Sequence, residues 1–106
     1  MKSTTSELES KFNQEILDTC SAAAKSGYHP HYFMKMVSQK GGYEAARQLI
    51  RSSQPSEGFT KLWEKGLLGI SVEAKVLLPE YHAIFSDEER ELCRKRLADH
   101  GYQVPQ

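Results

Sequence analysis

The fold is decided first by residues 6–27, which read SELESKFNQEILDTCSAAAKSG. The apolar positions of this stretch share a helical spacing: Leu8, Phe12, Ile16, Cys20 and Ala23. Side chains three or four residues apart lie on one face of an α-helix, so the pattern predicts a long amphipathic helix over about residues 7–25. Ser6 and Glu9 have the spacing of a capping box at its start, and Gly27 favours its end.

Helix signals also dominate the rest of the chain, whereas alternating strand patterns are nearly absent. Residues that favour helix starts or breaks are, in chain order, Pro30, Gly41, Gly42, Ser56, Ser71 and Ser86. Ser86 and Glu89 repeat the capping-box spacing and predict a last helix that ends near Gly101, with Tyr102 folding back onto the core. The apolar run at residues 67–70 is strand-like but short and has no partner strand. We therefore predict an all-α fold, a compact bundle of five to six short helices with a long N-terminal helix.

Length and composition restrict the class of protein. The chain has 106 residues, of which 39% are hydrophobic, and its 14 Lys and Arg balance its 14 Asp and Glu. This length predicts one domain over residues 1–106. No apolar run approaches a membrane span, and the N-terminus leads into glutamates, so we expect no membrane partner, no secretory signal and a cytoplasmic location. Cys20 and Cys93 are far apart and lack CxxC spacing, which favours two buried thiols over a disulfide.

Catalytic and metal-binding patterns are weak. His29 and His31 are separated by a proline at a helix start, so we expect their rings to diverge, and two ligands are too few for a zinc site. We predict no metal, no cofactor and no catalytic residue. Cys93 lies among arginines that favour a reactive thiolate, but its position favours a core residue. An enzyme would need distant residues such as His82, Glu73 and Cys93 to assemble, and a non-enzyme is the favoured interpretation.

The basic residues concentrate in the middle of the chain, where residues 27–66 carry a net charge of +3. Candidate phosphate contacts in this segment are Lys40, Arg47, Arg51, Lys61 and Lys65. The third and fourth helices are expected to imitate a helix-turn-helix, which makes nucleic acid a second candidate partner. The other interpretation is a mixed-charge surface with Trp63 in the core. Glu73, in the first turn of a helix, is expected to receive Arg47, Arg51 or a ligand.

Large apolar side chains suggest a protein partner, because a small helical domain leaves some of them exposed. The candidate partner-binding residues are Phe12, Ile16, Met34 and Tyr81. The long first helix is expected to be able to dock on a second chain, either another copy or a different subunit.

Several motifs together resemble a small bacterial helical domain family of uncharacterised function. The motifs are YxPxxF at 28–33, GGYEAA at 41–46, PSEGFTxLW at 55–63, VEAxVLxPEY at 72–81, FSDEE at 85–89, RxRL at 94–97 and GY at 101–102. Relatives often have a basic residue before the phenylalanine, where this chain has His31 and Tyr32. The resemblance covers residues 28–102 and leaves residues 1–27 outside. It implies a compact helical core and an association with mobile-element and restriction-type genes, and it assigns no site residues. The expected function is a non-catalytic adaptor or accessory subunit of a bacterial DNA-processing or defence system, with a nucleic-acid-binding regulator as the alternative.

Overall fold

The computed structural model describes residues 5–103, which form six α-helices, two 3-10 helices and no strand. The α-helices are α1 (Thr5–Lys25), α2 (His31–Lys40), α3 (Gly42–Ile50), α4 (Glu57–Glu64), α5 (Val72–Val76) and α6 (Asp87–Asp99). The 3-10 helices are Leu68–Ile70 and Pro79–Ile84. The predicted all-α bundle with a long first helix is confirmed. Residues 1–4 lie outside the described residues. They belong to the N-terminal segment on which the expectation of no secretory signal rests.

Local capping signals account for three helix starts as predicted. The hydroxyls of Ser56 and Ser71 each accept a backbone N–H from three residues further on, at 3.0 and 3.2 Å. At the start of α6 the capping box is complete. The Glu89 N–H donates to Ser86 Oγ at 3.1 Å, and the Ser86 N–H donates to Glu89 Oε1 at 2.9 Å. These bonds satisfy amides that the helix itself leaves without partners.

Two local expectations are wrong, and the strand-like run forms no strand, in agreement with the predicted all-α fold. Helix α1 already includes Thr5, so Ser6 lies inside the helix and does not cap it. Pro30 is the N-cap of α2 rather than its first helical residue. The strand-like run forms the 3-10 helix Leu68–Ile70 because, without a partner strand, its backbone bonds locally, from Ile70 N to Leu67 O at 3.1 Å.

Helix α1 lies against the main core. It packs on α3 and on the second 3-10 helix, while α5 packs on α6. The ring of Phe12 contacts the rings of Tyr81 and Phe85 edge-on, each with centroids 5.0 Å apart. The main core cluster is Phe12, Ile16, Ala46, Ile50, Val72, Val76, Tyr81, Ile84, Phe85 and Cys93.

Three of the predicted partner-binding residues are therefore misassigned. Phe12, Ile16 and Tyr81 have no exposed surface. The apolar stripe of α1 packs on its own domain instead of a second chain, and the Tyr81 hydroxyl donates to Glu15 Oε2 at 2.8 Å. Because that bond satisfies its polar atom, the whole tyrosine can be buried.

Gly41 and Gly42 lie where α2 ends and α3 begins, and they allow α3 to approach α1 closely. Gly41 has φ +85°, a left-handed conformation that favours glycine. A Cβ at Gly42 would lie 3.0 Å from the Asn13 Cα and 3.1 Å from the Ile16 Cβ. The same approach lets the Tyr43 N–H donate to Asn13 Oδ1 at 2.8 Å.

A second core cluster lies toward the other end of α1. It consists of Ala23, Phe59, Leu62, Leu68 and Leu97. Tyr102 folds back and packs against it, as predicted, after Gly101 turns the chain with φ +80°.

Candidate ligand-binding pocket

A cavity of about 340 Å³, here called the central pocket, is lined by residues of both core clusters. Its apolar wall includes Ala23, Tyr28, Phe33, Met36, Leu49, Phe59 and Leu62. Tyr32 also lines it and is 78% exposed, so this residue marks the side open to solvent. The volume and the apolar lining of the central pocket are typical of pockets that bind a small molecule or one anchoring side chain of a partner.

Two glycines shape the wall next to Tyr28. Gly27, with φ +101°, ends α1 and lets the Tyr28 N–H return to the Ala23 carbonyl at 3.1 Å. This turn places the tyrosine against the pocket. On the other side, a Cβ at Gly58 would lie 3.6 Å from the Tyr28 ring. The missing side chain of Gly58 therefore leaves this part of the pocket open.

Two buried polar residues stand in the otherwise apolar wall. Thr19 is 6% exposed, and its Oγ1 has no hydrogen-bond partner within residues 5–103. Glu73 is 1% exposed and lies in the first turn of α5. Buried polar atoms are nearly always hydrogen-bonded, so the Thr19 hydroxyl is an exception among the residues that the structure describes.

Glu73 is held by an arginine that was not expected to reach it. Arg96 Nη1 donates to Glu73 Oε2 at 3.1 Å, and Arg96 Nη2 donates to the Ser52 carbonyl at 2.9 Å. Burial raises the pKa of the Glu73 carboxyl above its ordinary value, although Arg96 opposes the shift. The expected partners Arg47 and Arg51 are engaged elsewhere.

Arg47 and Arg51 both bind Glu89, through Nε to Oε2 bonds of 3.0 Å each. Burial alone would raise the pKa of Glu89, but the Ser86 N–H and the two guanidinium groups together lower it to about 2. The two arginines thus tie α3 to the start of α6.

The other predicted phosphate contacts also have partners within the chain. Lys40 donates to Gln48, Lys61 pairs with Glu64 at 3.7 Å, and Lys65 donates to the Ser26 carbonyl at 3.1 Å. Helix α3 packs mainly on α1 and α2, and α4 packs mainly on the first 3-10 helix. The expected helix-turn-helix pairing of α3 and α4 is therefore wrong.

Of the four predicted partner-binding residues, Met34 is exposed, as expected, and Trp63 is exposed as well. Met34 is 46% exposed and does not line the central pocket. Trp63 is 47% exposed and packs edge-on against the His100 ring at 5.1 Å, so the expectation of a core tryptophan is wrong. The reason is that Phe59 and Leu62 alone fill the inner face of α4.

Both cysteines are buried and free, as predicted, and Cys20 lines the central pocket. Burial raises the pKa of each thiol. A protonated thiol is a poor nucleophile. His82 is exposed on the second 3-10 helix, whereas Glu73 and Cys93 are buried, so these three residues do not meet in one site.

The histidine pair adopts an arrangement that was not expected. The rings of His29 and His31 stack with centroids 5.8 Å apart and planes 19° apart, rather than diverging. Over residues 5–103, no group of three or more His, Cys, Asp or Glu side chains is placed to hold a metal ion. No helix in the same range has the length and apolar character needed to cross a membrane.

Sequence reasoning missed the residues that make the pocket. Thr19 gave a usable signal, because it lies three residues after Ile16 and four before Ala23, on the apolar face of α1. Tyr28 and Gly58 gave none, since their contact joins parts of the chain 30 residues apart. Long-range packing, not local pattern, creates the cavity.

Comparison with known proteins adds no relative: no family model, no curated protein and no solved structure matches this chain.

Proposed function

We propose that this chain is a non-catalytic helical module that binds a protein partner, and that the partner inserts one apolar side chain into the central pocket. The observation that carries the proposal is the pocket itself, with about 340 Å³ of volume and Tyr32 78% exposed at its open side. Interface energy concentrates where an anchoring side chain fills such a pocket, and tyrosine is enriched at interfaces.

The state of the thiols supports a non-catalytic role. Cys20 and Cys93 are 6% and 0% exposed, and burial raises the pKa of both. Since the thiolate is the reactive form, neither cysteine is prepared for nucleophilic attack.

The biological setting of the proposal rests on the sequence resemblance over residues 28–102. On that basis the module is an accessory subunit of a bacterial DNA-processing or defence system, located in the cytoplasm. Its partner is a protein subunit, either a different chain or a second copy.

Nucleic-acid binding is the alternative function, and the exposure of Arg51 is the observation that favours it. The Arg51 side chain is 55% exposed although it binds Glu89. Against it, all five candidate cations are engaged with groups of the same chain. Such binding would weaken steeply with salt and would weaken further on charge reversal at Arg47 and Arg51.

A tagged pull-down from the native host, with and without nuclease, tests the proposal. We expect a stoichiometric protein partner that survives nuclease and that mass spectrometry identifies. Tyr32→Ala should weaken its retention, whereas Leu92→Ala, at an exposed position outside the pocket, should not. Recovery of nucleic acid, with all proteins lost on digestion, would instead support the alternative.

A further inference from the structure

We infer that the partner carries a basic side chain, lysine or arginine, next to its apolar anchor, and that the cationic group binds Glu57 and Tyr28 on the solvent side of the central pocket. This inference rests on the proposed function and names the charge of the partner segment. It follows from the charged residues of the lining and from two polar groups there that have no partner in the chain.

The charged residues that line the central pocket are acidic. Among the described residues of the lining, these are Glu57 and Glu73, and none is Lys, Arg or His. Glu73 is 1% exposed and already bound to Arg96, so its carboxyl is not open to a ligand. Glu57 is exposed, and within residues 5–103 it makes no ion pair and no side-chain hydrogen bond. The charge that a ligand meets in this pocket is therefore negative.

The Tyr28 hydroxyl lies beside the same turn of the chain. A Cβ at Gly58 would be 3.8 Å from the Tyr28 hydroxyl oxygen and 3.8 Å from Ser56 Oγ, so the phenol lies over the first turn of α4. Burial raises the pKa of Tyr28 and the Glu57 charge raises it further, which keeps the hydroxyl protonated. This hydroxyl makes no hydrogen bond within the described part of the chain, and its oxygen can accept one from a ligand.

The aromatic rings of the lining also favour a cation. Tyr28 is half-buried and Tyr32 is 78% exposed, so a ligand can reach both rings. The face of an aromatic ring attracts an ammonium or guanidinium group, whereas Glu57 would repel an anion. An apolar anchor with a basic neighbour therefore complements both the apolar wall and the charge of the pocket.

Two lysines of the same chain bond close to the lining but do not neutralise Glu57. Lys40 donates to Gln48, and Lys65 donates to the Ser26 carbonyl at 3.1 Å. Neither lysine lines the pocket. The Glu57 carboxylate thus remains open to a cation from outside the chain.

Glu57→Gln separates recognition from folding. Glu57 is the first residue of α4, where a carboxylate also stabilises the helix end. Glu88 is exposed in the first turn of α6 and does not line the pocket. Glu88→Gln is the matched control, because it makes the same change in net charge and should have a similarly small effect on thermal unfolding.

The experiment titrates the ¹⁵N-labelled full chain with phenethylammonium, phenethyl alcohol and hydrocinnamate at low salt and follows amide shifts by NMR. The three probes share a phenyl ring on a short chain and end in a cationic, a neutral and an anionic group. We expect phenethylammonium to bind the wild type about fivefold more tightly than phenethyl alcohol, which is the effect of one solvent-accessible ion pair. Hydrocinnamate should bind most weakly, and the shifts should cluster at Tyr28, Tyr32 and Gly58.

The variants locate the cation. In Glu57→Gln the preference for phenethylammonium over phenethyl alcohol should disappear, whereas Glu88→Gln should keep it. Tyr28→Phe retains the ring but not the hydroxyl and should reduce the preference by about twofold. Equal affinities of the three probes in the wild type, a preference that survives in Glu57→Gln, or an equal loss in Glu88→Gln would each overturn the inference.

The outcome is separable from that of the proposed function. If the probes show no charge preference but a nuclease-resistant partner is captured, the inference fails and the proposed function stands. If the preference is found but no protein partner is captured, the recognition of a cation is supported and a protein as its source is overturned.

Discussion

Arg96 binds Glu73 through a bond of 3.1 Å between Nη1 and Oε2, with the two side chains 10% and 1% exposed. The pair joins α6 to α5 at the wall of the central pocket. Both charged groups are removed from water, and this desolvation is unfavourable. Each group is therefore tolerated in the interior because the other one pairs with it.

Arg96→Met should therefore be strongly destabilising at neutral pH. It leaves the Glu73 carboxyl buried without its cation, which costs about 3–5 kcal/mol in the free energy of unfolding. Arg94→Met is the matched control, because Arg94 is 52% exposed and pairs with Glu91 on the surface of the same helix. Urea unfolding monitored by circular dichroism measures both variants. Equal stabilities would show that the buried pair does not matter.

The pH dependence of Arg96→Met has a defined sign. Burial raises the pKa of Glu73 in the folded state, so its contribution to stability is fully present below the unfolded value of 4.5 and is lost as the pH rises through the folded pKa. Without Arg96 the same carboxyl favours its neutral form more strongly. The deficit of the variant relative to the wild type should shrink as the pH is lowered toward 4.5, through the raised folded pKa of Glu73.

Glu89 is expected to titrate in the opposite direction. Its folded pKa is lowered from 4.5 to about 2, so its contribution is present above 4.5 and is lost as the pH falls through about 2. Glu89→Gln keeps an oxygen for the capping box but loses the charge that holds Arg47 and Arg51. We expect a loss of about 3 kcal/mol at pH 7 that vanishes near pH 2.

Glu88→Gln is the control for that comparison, because Glu88 is exposed in the same first turn of α6. It should change the unfolding free energy by less than about 0.5 kcal/mol. A loss for Glu89→Gln that is independent of pH would contradict the assignment of the low pKa to this carboxyl.

Gly42→Ala should destabilise the contact of α3 with α1. The added Cβ would lie 3.0 Å from backbone Cα of Asn13, which cannot move without moving α1. We expect a loss of about 1–3 kcal/mol, measured by thermal unfolding. Gly58→Ala is the matched substitution with space, since its Cβ would meet the nearest atom, in Tyr28, at 3.6 Å. It should gain up to about 1 kcal/mol from helix propensity, and a similar effect of both variants would contradict the packing argument.

The fold was predictable where the controlling contacts are local. Ser56, Ser71 and Ser86 start helices through bonds to residues three positions away, so the sequence pattern carries the information. The long apolar stripe of α1 likewise predicts one buried face. The residues that cover that face come from distant parts of the chain, so a local pattern does not identify them. For this reason the sequence assigns Phe12 and Tyr81 to a partner, although they pack on each other.

The candidate site was much less predictable for the same reason. Arg96 is 23 residues from Glu73 along the chain, and only the packing of α5 on α6 brings them together. Arg47 and Arg51 bind Glu89 instead, across 42 and 38 residues. Charge and spacing indicated that these groups needed partners, but they did not indicate which.

If a protein partner is held through the central pocket, a side chain larger than alanine at position 58 should weaken its binding, and Gly58→Leu is the variant that tests this. The larger side chain would extend from the wall beside Tyr28 into the pocket, whereas Gly58→Ala adds a Cβ that fits. We would measure the dissociation constant of each variant for the partner captured after nuclease treatment, by isothermal titration calorimetry. We expect that Gly58→Ala binds like the wild type and that Gly58→Leu, still folded, binds at least about tenfold more weakly. Equal binding by the two variants would contradict it.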